Sequence, residues 1–194
     1  QLHIATGFLN KDDIQDFAII VQSTDSNNIE IDTSNNEPVN LNPRILAIYF
    51  GDDKGYYHKQ LQVNEFILNK EFVYMDESID NFTITESKFL KINFRVFHYS
   101  GSSTISNYIY DFKYQKKSFE LLNYHSYSVN RISNETKECF FDFVKGKSKK
   151  IITTLDSNSN EKVNIESKRF KIKEFKSLKE LQRAFEWKFM GEYI

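Results

Sequence analysis

A strict alternation of apolar and polar residues between positions 90 and 96 constrains this chain more than any other feature. In the stretch KFLKINFRVFHY, the apolar residues Leu90, Ile92, Phe94 and Val96 are separated by residues that are mostly polar or charged. Successive side chains of a β-strand point to opposite faces of the sheet, so the pattern predicts a strand with one buried face. A chain organised around such a strand has to supply further strands to pair with it.

Most of the remaining chain consists of strand-length apolar segments joined by polar turns. Arg44–Phe50 and Tyr56–Val63 flank a glycine-bearing loop and predict a β-hairpin, and Lys116-Lys117 predicts a tight turn between two further strands. The 18 Phe and 11 Tyr, against only 2 Pro, also favour strands. We therefore predict a mainly β chain, an antiparallel meander of hairpins with a propeller-like or sandwich-like arrangement.

Two stretches depart from the strand pattern. Residues 23–42 are polar and rich in turn residues, which predicts a flexible loop. Near the C-terminus, Ser177 and Glu180 have the spacing of a capping box, and apolar residues follow at helical spacing. These apolar residues are Leu178, Leu181, Phe185 and Phe189. We expect an amphipathic helix of three to four turns over about 177–190, packed on the sheet of a single domain that spans 1–194.

The acidic loop before the apolar run Phe17–Val21 carries oxygen-bearing side chains at near-alternating positions, Asn10, Asp12 and Asp16. Calcium loops use such spacing because a tight turn points every second side chain inward. The first ligand position holds Phe8, and Asp13 stands where a glycine would ease the turn. The stretch therefore predicts either a degenerate calcium site or a turn in which Asn and Asp side chains bond to nearby backbone. Calcium is the only cofactor that the sequence suggests.

The segment GFLNKDDIQDFAIIVQ, residues 7–22, resembles the GDLNGDGxDDxAxV stretch of FG-GAP-like and VCBS-like β-propeller repeats. It also resembles the opening of a group of uncharacterised exported bacterial proteins that carry this motif once. Arg44–Tyr57, His98–Tyr124 and Phe141–Lys147 are similar to that group as well. The resemblance implies a periplasmic or cell-surface β protein, in some cases lipid-anchored. The chain starts at Gln1 without an apolar leader, so the resemblance implies a mature or trimmed form from which the export signal has been removed.

Composition and motifs argue against several classes of function. The sequence contains no run of about 18 apolar residues, so no transmembrane helix is predicted. A net charge of −1 argues against a nucleic-acid partner. Cys139 is the only cysteine, the four histidines lack metal-ligand spacing, and neither a P-loop nor a GxSxG motif occurs. We therefore predict a non-catalytic protein. A hydrolase that uses the loop His98–Ser103 or Cys139 is the alternative.

Tyrosines concentrate near the predicted hairpin loops Gly51–Tyr57 and His98–Tyr108. Tyrosine combines a large apolar body with a polar hydroxyl and is enriched at protein interfaces, although it also packs across strands. The residues that we predict to bind a protein partner are Tyr56, Tyr57, Tyr99 and Tyr108. The favoured interpretation is an exported binding protein that contacts another protein, for example an inhibitor or immunity protein against a toxin or a cell-wall hydrolase. A calcium-stabilised surface or carbohydrate-binding module is the second interpretation.

Overall fold

The computed structural model describes residues 2–31, 36–69, 78–97 and 103–194, and most of these residues lie in two antiparallel sheets. The four-stranded sheet has the order β1-β2-β5-β6. Its strands are β1 (His3–Gly7), β2 (Asp16–Gln22), β5 (Arg44–Gly51) and β6 (Tyr57–Val63). The predicted hairpin across the Gly51–Tyr57 loop is thus confirmed as the β5–β6 pair.

The seven-stranded sheet is an uninterrupted meander in which every strand pairs with its neighbours in the chain. Its strands are β7 (Ile79–Ile84), β8 (Phe89–Phe97), β9 (Thr104–Gln115), β10 (Ser118–Asn130), β11 (Thr136–Asp142), β12 (Lys147–Leu155) and β13 (Glu161–Arg169). β7 and β13 are the two edge strands. The predicted mainly β, antiparallel class is confirmed, and so is the alternation along β8, where Leu90, Ile92, Phe94 and Val96 are buried in the core.

One hydrophobic core joins the two sheets. The ring of Phe50 on β5 lies edge-on to Tyr114 on β9, with 4.8 Å between centroids. Phe66, which follows β6, contacts Tyr110 and Phe112 on β9 with centroid separations of 5.3 and 5.6 Å. Each fully buried aromatic side chain contributes about 2–3 kcal/mol through removal of apolar surface from water. Two sheets that pack over a common core correspond to the sandwich-like alternative.

The described part of the predicted flexible loop 23–42 contains regular structure. β3 (Ile29–Ile31) and β4 (Pro38–Asn40) pair as a small ladder, and residues 32–35 between them lie outside the described residues. Asn42 is fully buried behind this ladder. Its amide nitrogen donates to the carbonyl of Asp25 at 2.9 Å, and its amide oxygen accepts from Asn28 at 3.1 Å. These bonds join the two ends of the loop to each other between β2 and β5.

The predicted C-terminal helix is correct in position but wrong in length. It is a single turn, α1 (Leu178–Leu181), with the expected capping box between Ser177 and Glu180. The helix stops at Gln182, whose φ is +53°, and the chain then forms the hairpin β14 (Lys188–Phe189) and β15 (Glu192–Tyr193). Phe189 of the hairpin packs its ring on Phe141 of β11, and Trp187 and Phe189 pack on Phe143, which follows β11. This tertiary burial outweighs the helical spacing of the apolar residues.

Candidate functional site

Asp16, one of the predicted calcium ligands, is fully buried at the start of β2. One carboxylate oxygen accepts the backbone N–H of Leu9 at 2.7 Å and that of Asn10 at 3.3 Å, and the other accepts the N–H of Gly51 at 3.2 Å. Burial raises the pKa of this carboxyl, while the three hydrogen bonds act in the opposite direction. The side chain therefore ties the opening loop to β2 and β5.

The other two predicted ligands bond to each other and to nearby backbone. The amide of Asn10 donates to Asp12 at 2.7 Å, and its oxygen accepts the Asp12 N–H at 3.0 Å. Asp12 also accepts the N–H of Ile14 at 3.1 Å. These contacts are those of the turn alternative. Within the described ranges, no group of three His, Cys, Asp or Glu residues is placed to hold a metal ion, and the calcium site stays a prediction.

Two of the predicted protein-binding tyrosines stand on the β5–β6 hairpin. Tyr56 is 66% exposed and Tyr57 is 48% exposed. The loop beneath them is held by Asp52, which accepts the Tyr56 N–H at 2.8 Å and lies 2.7 Å from the Nε2 atom of His58. The hydrogen bond with His58 lowers the pKa of Asp52. Tyr57 also packs edge-on against Phe17, so these tyrosines sit on an ordered turn.

The remaining predicted tyrosines have other surroundings. Tyr108 points to the core side of β9, where its ring centroid lies 4.4 Å from that of Phe185, so it packs across the fold. Tyr99 lies outside the described residues, together with most of the loop His98–Ser103. Ser103 is described, and its hydroxyl donates to Asn130 at 2.8 Å.

Cys139, the second nucleophile considered from the sequence, is buried on β11. Burial is the main cause that raises its pKa, and the nearby carboxylate of Glu192 raises it further. Both effects keep the sulfur in the unreactive thiol form. The thiol of Cys139 is therefore poorly suited to nucleophilic attack.

The side of the seven-stranded sheet that faces away from the core forms a broad surface, which we call the open face. Strand registers place Ile165, Ile151, Glu138, Tyr127 and Asn107 in one row across five strands of this face. No strand or helix among the described residues packs over it. Its central apolar residues are Ile109, Tyr127, Val129, Phe140, Ile151 and Ile165.

Ionisable groups lie among the apolar residues of the open face. The imidazole of His125 stacks on Phe140, with 4.1 Å between centroids, and its Nε2 atom lies 3.9 Å from a carboxylate oxygen of Glu138. On the neighbouring strands, Lys91 and Asp111 form an ion pair at 3.3 Å. Burial lowers the pKa of His125, which the carboxylates of Glu138 and Asp111 partly oppose. A neutral imidazole is thus favoured on this surface.

Two amide oxygens on the open face are buried without a hydrogen-bond donor in the described part of the chain, those of Asn93 and Asn107. A buried acceptor that lacks a donor costs about 1–3 kcal/mol. A partner that brings donors to this surface would remove that cost.

One end of the open face is strongly basic. Lys147 on β12 lies directly opposite Arg169 on β13, and Lys149 follows on the same face. These cations border a cleft of about 520 Å³ whose floor includes Phe140 and whose rim carries Asp142. Like charges that face each other across two strands destabilise a sheet, and Asp142, which faces Lys147 from β11, offsets part of this repulsion. Three cations and one carboxylate leave this end of the open face with a net positive charge.

No family model, curated protein or solved structure matches the chain. The likeness to FG-GAP-like repeats and to exported single-motif proteins therefore stays a prediction. In the described ranges, no helix has the length and apolar character needed to span a membrane.

The open face was missed in the sequence, although a signal for it exists. Along β10, the core-facing Tyr124 is flanked by outward-facing residues that include Tyr127 and Val129, so both faces of the strand carry large side chains. A strand of this kind predicts burial on both sides. Among the residues that the structure describes, other elements pack against one side of β10 only.

Proposed function

We propose that this protein is a non-catalytic binding protein that contacts another protein through the open face of its seven-stranded sheet. The observation that supports the proposal is the group of apolar side chains on β9 to β13 of the open face, which no strand or helix among the described residues covers. Contiguous exposed apolar surface with a polar rim is typical of protein interaction sites.

The charges of the open face indicate the chemistry of the partner. Its centre is apolar, and its end at the β12–β13 strands carries Lys147, Lys149 and Arg169. A complementary surface would offer apolar side chains at its centre and Asp or Glu side chains at one end. Carboxylates of the partner would relieve the repulsion between Lys147 and Arg169, which gives the interface a fixed orientation.

An export location and an inhibitor or immunity role belong to this proposal as its more specific form. They rest on the likeness of residues 7–22 to exported proteins and on the unreactive setting of Cys139. The exposed pair Tyr56 and Tyr57 on the β5–β6 hairpin is the competing location for the interface.

Site-specific photocrosslinking separates the two locations. A photoreactive phenylalanine analogue replaces one tyrosine at a time: Tyr127 on the open face, Tyr56 on the β5–β6 hairpin, or Tyr193 on the C-terminal hairpin as a matched control. Irradiation in extract of the source cells is followed by mass analysis of the adducts. We expect one discrete adduct with a different protein from position 127 and none from positions 56 and 193. An adduct from position 56 alone would move the interface to the hairpin and refute the open face.

Binding to the purified partner then tests the surface quantitatively. Ile151→Lys places a charge at the centre of the open face, and we expect it to weaken binding at least tenfold in titration calorimetry. Ile132→Lys makes the same chemical change in the β10–β11 turn, where Ile132 is 84% exposed, and should leave affinity unchanged. Equal affinities for both variants would contradict the proposal.

A further inference from the structure

β13 is one of the two edge strands of the seven-stranded sheet and is exposed along all nine of its residues. Val163 and Ile165 are 52% and 55% exposed, and both point to the open face. No described strand pairs with the far side of β13. An exposed edge of this length is a template for pairing with another strand.

The hydrogen bonds that flank the β12–β13 ladder show which backbone groups of β13 are free. The carbonyl of Asn160 accepts from Asp156, and the N–H of Phe170 donates to Gly146, both at 2.9 Å. Residues of an antiparallel ladder alternate between bonding to one neighbour and to the other. Even-numbered residues of β13 therefore bond to β12, and the odd-numbered residues direct their N–H and C=O groups to the free edge.

We propose that β13 pairs antiparallel with β13 of a second copy of this chain, with Asn164 on the two-fold axis. In this register Lys162 of each copy faces Glu166 of the other, and Val163 faces Ile165. Opposite charges and apolar pairs stabilise facing positions on strands. Val163 and Ile165 form a hydrogen-bonded pair with their outward backbone groups. The side chains of Lys162 and Glu166 belong to a non-hydrogen-bonded pair, in which facing residues approach most closely.

Neighbouring registers lack this complementarity. An axis at Ile165 places Lys162 opposite Lys168, and an axis at Glu166 places two glutamates opposite each other. Like charges in facing positions destabilise a sheet. The sequence of β13 is thus self-complementary about Asn164, which is the symmetry that an isologous dimer requires. The dimer would join the open faces of the two copies into one continuous surface.

The test is a charge exchange followed by sedimentation equilibrium at low ionic strength. We expect the unchanged protein to form a dimer. Lys162→Glu alone places a glutamate opposite Glu166 in both symmetry-related pairs, and Glu166→Lys alone places a lysine opposite Lys162 in both, so each should weaken dimerisation at least tenfold. The double variant Lys162→Glu/Glu166→Lys restores opposite charges and should dimerise again. Lys162 and Glu166 are exposed in each copy, so the substitutions should leave the circular dichroism spectrum unchanged.

Three results would overturn the proposal. The first is an unchanged protein that is monomeric at several hundred micromolar, and the second is a double variant that does not dimerise. The third is stronger dimerisation of Lys162→Glu, which the register about Ile165 requires. Val163→Pro tests the backbone independently, because it removes an outward N–H that β12 does not use. We expect this variant to be a folded monomer, and a dimer of unchanged affinity would exclude pairing through this edge. Photocrosslinking at Tyr127 on β10 and sedimentation of the β13 variants test different surfaces. The binding of a partner and the dimerisation can therefore fail independently of each other.

Discussion

Asp16 illustrates how a single buried carboxylate can organise a loop whose spacing resembles that of a calcium site. Its two oxygens accept three backbone N–H groups from the opening loop and from the end of β5. The spacing of Asn10, Asp12 and Asp16 predicts oxygen atoms that converge in a turn, and the sequence alone does not show whether N–H groups or a metal ion meet them.

Asp16→Ala should lower the free energy of unfolding by about 3 kcal/mol, because three N–H groups lose their acceptor in a partly buried setting. We expect the same loss in EDTA and in millimolar Ca²⁺, measured by thermal melting. Asp12→Ala, on the exposed part of the loop, should cost less than about 1 kcal/mol. Stabilisation by Ca²⁺ that Asp12→Ala abolishes would establish the calcium site instead.

His125 should make stability depend on pH. Its pKa in the folded protein lies below the ordinary value of 6.5 because of burial, so the unfolded chain binds the proton more readily. Stability is therefore lost as the pH falls below about 6.5. His125→Phe keeps a ring stacked on Phe140 and removes the titration. Urea unfolding at pH 8 and pH 5 should show that acid lowers the free energy of unfolding more for the unchanged protein than for the variant. Equal losses would mean that burial does not disfavour the protonated form of His125.

At the scale of elements, local sequence patterns predict those strands and turns whose conformation depends on neighbouring residues. The alternation along β8 and the Lys116-Lys117 turn are confirmed, since both depend on a few adjacent residues. The predicted length of the C-terminal helix is wrong because Trp187 and Phe189 pack on Phe143, which follows β11, and no local pattern reveals this contact. The capping box fixed where the helix begins, and tertiary packing decided where it ends.

Met190→Asn distinguishes the C-terminal hairpin from a longer helix by the sign of its effect. Met190 has a φ of +51° and precedes Gly191, at +88°, in the turn between β14 and β15. Asn-Gly is the preferred pair in such two-residue turns, so we expect a gain of about 1 kcal/mol in the free energy of unfolding. In a helix the same change would cost about 0.5 kcal/mol. Chemical denaturation of both proteins measures the difference, and a loss of stability would favour the helix.

At the scale of the whole molecule, the order of the strands and the division into two sheets lie beyond the reach of sequence patterns. Nothing in the apolar run of β2 identifies β5 as its neighbour, because pairing joins residues that are far apart in the chain. The same limit hid the open face, which exists because the registers of five strands align their outward rows. The interface candidates from sequence were therefore loops, whereas the fold offers a sheet surface and an edge.

The shared core predicts that both sheets unfold together, as the predicted single domain 1–194 requires. Leu46 is fully buried on β5 of the four-stranded sheet, and Leu46→Ala should cost about 3 kcal/mol. Trp187, the only tryptophan, packs on Phe143 beside β11 of the seven-stranded sheet and reports on that region by fluorescence. We expect Leu46→Ala to lower the unfolding midpoint of Trp187 fluorescence as much as that of far-ultraviolet circular dichroism. A fluorescence transition that does not move would mean that the sheets unfold independently. Cooperative loss is expected because Phe50 and Phe66 place rings from the first sheet and its following segment directly against β9 of the second.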